Sequence, residues 1–77
     1  NDDLYYWYKI KIKKQIILKE LGQEQAYNFI KSKFEKIKKP SIKILFDMAN
    51  IMKGLKKHQI AINYYNEVLS KINFSFK

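Results

Sequence analysis

The 77 residues contain no cysteine and no arginine, one histidine (His58), one proline (Pro40) and two glycines (Gly22 and Gly54). Without cysteine there is neither a disulfide framework nor a thiolate metal site. His58 has no second histidine or cysteine with which to complete a zinc site or a nucleophile–base pair. At the corner of a helical hairpin it is expected to pack rather than to react. The seven acidic residues are scattered, and Glu20 and Glu24 flank Gly22 instead of sharing a helix face. Acid–base chemistry by a carboxylate pair therefore has no support. No glycine-rich phosphate loop is present. The longest apolar run, "LYYWY", is far short of the roughly 20 residues a membrane-spanning helix needs. These absences point away from an enzyme, and no cofactor or metal is expected.

What the chain does have is positive charge. Its net charge is +9, and all 16 basic residues are lysines. Isoleucine, asparagine, tyrosine and phenylalanine are also plentiful, the bias that an AT-rich genome imposes regardless of function. Net charge bears on solubility and non-specific association, not on fold. A hydrophobic content of 47% argues against disorder. A chain this short buries only roughly 60% of the surface that its unfolded form exposes.

Breaker residues divide the chain into four segments, 4–21, 24–38, 42–54 and 58–72. The breaks fall at Gly22, at Lys39-Pro40-Ser41, and at Gly54 with Lys56-Lys57. Each segment has the length of a helix. Ala26, Ile30, Phe34 and Ile37 form one stripe at helical spacing. Leu45, Met48, Ala49 and Met52 form another, and Ala61, Tyr64, Tyr65, Val68, Leu69 and Ile72 a third. Pro40 biases Lys39 away from helical angles, and Ser41 is placed to cap the third helix. The stretch "YKIKIKKQI" at 8–16 alternates like a strand, but no other segment does, so a strand here would lack a partner. As a helix it is apolar on two sides. Tyr6, Trp7, Ile10, Ile17, Leu18 and Leu21 make one arc, interrupted by Lys14; Tyr5, Tyr8, Ile12 and Ile16 make the other. The fold is expected to be all-α, with two antiparallel helical hairpins over residues 1–39 and 40–77.

Leu21-Gly22 precedes Leu55-Lys56 by 34 residues, and each pair closes the first helix of its hairpin. Leu45-x2-Met48-Ala49-x2-Met52 followed by Ala61-x3-Tyr65-x2-Val68, with the wording "AINYYNEVL", resembles the tetratricopeptide repeat over 42–73. In that family the small residues, here Ala49 and Ala61, mark the closest approach of paired helices. Residues 8–39 are a degenerate match. Lys14 and Gln15 replace the large and small pair, and Ala26 or Tyr27 fills the small position only with a one-residue slip. Asn73 stands where the family usually ends in proline, and Gly54 comes two residues before the expected glycine.

The resemblance implies a curved solenoid whose first helices line a concave face that binds other proteins. Carried across position by position, that face comprises Lys9, Lys13, Lys43, Phe46, Asn50 and Lys53. The residues that pack the helices are Leu45, Met48, Ala49, Met52, Ala61, Tyr65 and Val68. A groove so rich in lysine implies an acidic segment or a C-terminal carboxylate as ligand. Asn50 fits the family's carboxylate-clamp arrangement, whereas Phe46 stands where that subtype uses lysine. Two alternatives stay open. The basic run "KSKFEKIKKPSIK" could meet nucleic acid phosphates, though Phe34 and Ile37 within it lie on the apolar stripe. Tyr5, Tyr6, Trp7 and Tyr8 with neighbouring lysines could contact a membrane surface. Finally, the two-sided first helix and the ending "NFSFK" lead to the expectation that these residues belong to a longer repeat array. In isolation they would then be marginally stable, or would self-associate through exposed ends.

Overall fold

The structure, a computed structural model, describes residues 2–72. Asn73 and the "NFSFK" ending lie outside the described residues. Four helices follow one another: α1 (Asp2–Leu21), α2 (Gln23–Phe34), α3 (Ile42–Gly54) and α4 (His58–Ile72). No strand occurs among the described residues. The protein is all-α and divides into two compact units, Asn1–Lys39 and Pro40–Lys77.

The first unit is a hairpin turned on a single residue. The Gly22 N–H bonds to the carbonyls of Leu18 (3.1 Å) and Ile17 (3.2 Å), closing α1. The Gly22 carbonyl in turn accepts from the Ala26 N–H at 3.1 Å, opening α2. One residue is thus both the end of one helix and the start of the next. Its backbone, at φ 98° and ψ 177°, lies in a region that is essentially glycine-only. The return of the chain brings the start of α1 against the end of α2. The Trp7 and Phe34 rings meet edge to face at 5.8 Å, and the Tyr6 hydroxyl donates to the Lys33 carbonyl at 3.2 Å. Trp7, Ile10, Ala26, Ile30, Phe34 and Ile37 are buried.

Residues 24–38 do not form one helix. The α-helix stops at Phe34, and i→i−3 bonds from Lys36 to Lys33 and from Ile37 to Phe34 tighten the chain. Pro40 cannot supply the N–H that would have closed on Lys36. The tighter turn buries Ile37 and leaves Lys36, Lys38 and Lys39 exposed.

In the second unit Ser41 caps α3, its hydroxyl accepting from the Ile44 N–H at 3.2 Å. Gly54 is the last residue of α3 rather than its breaker. The stop comes two residues later, where Lys56 takes φ 66°. The Lys57 N–H reaches the Met52 carbonyl (2.9 Å) and the Lys56 N–H reaches that of Lys53 (3.0 Å). This is the Schellman pattern, in which the left-handed residue is usually glycine. Ile44, Leu45, Met48, Ala49, Met52, Leu55, Ala61 and Val68 are buried. Tyr64, Tyr65 and Ile72 are half-buried, and Leu69, expected on the α4 stripe, is exposed.

The two hairpins share one register mark and differ in another. Gly22 and Lys56, 34 residues apart, are the described residues with positive φ. The buried small residues Ala26 and Ala61 are 35 apart. Ala26 is buried and Tyr27 only half-buried, and the one-residue offset matches a Gly22 turn that is shorter than the Leu55–Lys57 link.

Candidate interaction face

Helix α3 presents its core stripe inward and a row at i, i+3, i+7 and i+10 outward. That row is Lys43, Phe46, Asn50 and Lys53, all exposed, with Phe46 at 48%. Tyr65 of α4 leans over it. Its hydroxyl donates to Asn50 Oδ1, and its ring meets that of Phe46 edge-on at 5.9 Å. Tyr65 was expected only to pack the helices. It also fixes the Asn50 amide: with Oδ1 engaged, the Nδ2 hydrogens are the group left to meet a ligand acceptor. Nothing in the one-dimensional spacing announces this contact between helices.

The row thus combines two ammonium groups, an amide donor and an aromatic face on one side of one helix. Such a set can hold a carboxylate and an adjacent apolar side chain. It offers no nucleophile with a base beside it. Lys9 and Lys13 are exposed on α1. His58 opens α4 and is exposed, so it does not take the packing role expected of it. Among the described residues no three His, Asp or Glu side chains cluster as a metal site would require.

The aromatic cluster at the start of α1 separates into two pairs. Trp7 is fully buried and Tyr6 is half-buried and hydrogen-bonded, so neither is presented to a membrane; Tyr5 and Tyr8 are exposed. Lys14 lies between them in kind. It interrupts the inward arc of α1, and burial, followed by the nearby Lys11 charge, lowers its pKa below the ordinary 10.5. Its ammonium donates to Gln15 Oε1 at 3.0 Å. A lysine whose folded pKa is depressed binds its proton less well folded than unfolded. Stability is therefore lowest below the folded pKa and rises with pH between that value and 10.5. Lys14→Met should raise stability at neutral pH by about 0.5–1 kcal/mol. It should also flatten the rise toward pH 10.5, measured as urea midpoints for the two proteins side by side. A variant no more stable than the parent would mean that Lys14 is not penalised where it sits.

The fold and this face define a small all-α protein of helical hairpins with an outward, lysine-flanked aromatic row. Comparison with family models, with curated proteins and with solved structures returned no match.

Proposed function

We propose that the chain is a non-catalytic, tetratricopeptide-like interaction module that binds an acidic peptide segment or a terminal carboxylate. In this reading the hairpins stack as a solenoid, and the ligand lies on the first helix of each. The observation that carries it is the exposed row Lys43–Phe46–Asn50–Lys53, with Asn50 held in one orientation by Tyr65. An oriented amide between two cations is matched to a carboxylate, because charge-assisted hydrogen bonds are roughly twice as strong as neutral ones. Lys9 and Lys13 would add charge for the same ligand. The burial of Phe34 and Ile37 removes the aromatic and apolar side chains of the basic run from contact with bases, which disfavours nucleic acid.

Fluorescence anisotropy with a labelled acidic peptide, free or amidated at its C-terminus, tests the proposal. Lys43→Glu with Lys53→Glu should weaken binding at least tenfold, and Tyr65→Phe by roughly three- to tenfold through loss of one hydrogen bond. Unchanged affinity in the charge-reversed protein would remove the assignment. Tight, steeply salt-dependent binding to duplex DNA with none to peptide would replace the function itself.

A further inference from the structure

The outward face of α1 carries an apolar stripe that neither the core nor the proposed peptide site uses. Tyr5, Tyr8, Ile12 and Ile16 fall on one stripe and are between 45% and 72% exposed. At the helical repeat they occupy about 80° of arc and about 17 Å of length. The opposite side of the helix is committed to α2 through Trp7 and Ile10. From Tyr5 to Lys19 there are five lysines and no acidic residue. Lys9 and Lys13 border the stripe on one side. Lys11 borders it on the other, its ammonium 5.1 Å from the centre of the Tyr8 ring, and Lys19 continues the row beyond Ile16.

We propose that this face docks on an anionic lipid surface, lying in the plane of the membrane interface. Three features select that occupant. First, the stripe is a ridge. The depression beside it is lined by Gln15, Ile16, Lys19 and Glu20, so among the described residues its lining comes from α1 alone and forms no cleft between helices. A fluid interface moulds itself to a ridge, whereas specific peptide capture needs a concavity. Second, lysines on flexible stems suit a diffuse negative field better than one fixed carboxylate, and tyrosines settle at the headgroup level. Third, a second copy is a poor occupant, because pairing two such faces would bring two sets of lysines together. No described helix is long and apolar enough to cross a membrane, so the contact is one of surface, not of span.

The whole chain is mixed with vesicles of phosphatidylcholine alone, or with about a third phosphatidylserine, and the bound fraction is read by sedimentation at low and high salt. Binding should favour the anionic vesicles at least tenfold and weaken with salt. Ile12→Ser with Ile16→Ser, both at exposed positions, should cut it roughly tenfold while the helical circular dichroism is retained. Lys11→Gln and Lys19→Gln should each cost roughly fivefold. Equal binding to neutral vesicles, or full binding by the serine variant, would overturn the proposal. So would absence of vesicle binding together with self-association or acidic-peptide binding that the serine variant abolishes. The peptide reading fails separately, since Lys43→Glu with Lys53→Glu acts on α3 and the serine substitutions on α1.

Discussion

Trp7→Ala is expected to cost about 3–5 kcal/mol, enough to unfold the first hairpin at ordinary temperatures. Trp7 is fully buried and packs edge to face on Phe34, so truncation removes a large transfer term and leaves a cavity in a unit with few other large side chains. Tyr5 is two residues away, equally aromatic and 72% exposed. Tyr5→Ala should change stability by no more than about 0.5 kcal/mol. Urea unfolding followed by circular dichroism separates the two. Similar midpoints for both variants would mean that the inward and outward arcs of α1 have been assigned the wrong way round.

The second large effect belongs to the backbone. Gly22→Ala should cost about 1–3 kcal/mol, although a Cβ built there would meet nothing within 4 Å. Space is therefore not the obstacle; φ 98° with ψ 177° is. The opposite substitution in the other hairpin makes the control. Lys56 occupies a left-handed position at φ 66°, which glycine adopts without strain, so Lys56→Gly should gain about 1 kcal/mol. Thermal melts of the two variants should move in opposite directions. If both lose stability, the positive-φ account of the two turns is wrong.

Three of the four helix spans were legible because period and punctuation agree there: Gly22 ends α1, Ser41 caps α3, and the Ala61–Ile72 stripe runs the length of α4. The end of α2 was not. Ile37 keeps helical spacing with Phe34, and the sequence pattern cannot distinguish an α-turn from the tighter turn that buries it equally well. Nor does spacing say which of two apolar arcs packs: Trp7 and Tyr5 differ in fate only because α2 returns on one side of α1. Lys56 illustrates a third limit, since a left-handed lysine is imposed by the geometry of the turn against local preference. At the candidate site, the row Lys43, Phe46, Asn50 and Lys53 comes from the tetratricopeptide resemblance, and the helical repeat keeps it on the side of α3 away from Leu45, Met48, Ala49 and Met52. The bond from Tyr65 to Asn50 follows from neither, because it depends on how two helices are rotated against each other.

The single-residue turn at Gly22 makes the first hairpin intolerant of changes in chain length. One residue inserted beside it would rotate α2 by about 100° and shift it by about 1.5 Å. Ala26 would leave the contact with α1, and the side chains that follow it would be carried round with it. The Leu55–Lys57 link has three residues over which to distribute such an addition. Variation in length, whether natural drift, a tag or a circular permutation, is therefore better accommodated at the second corner than at the first.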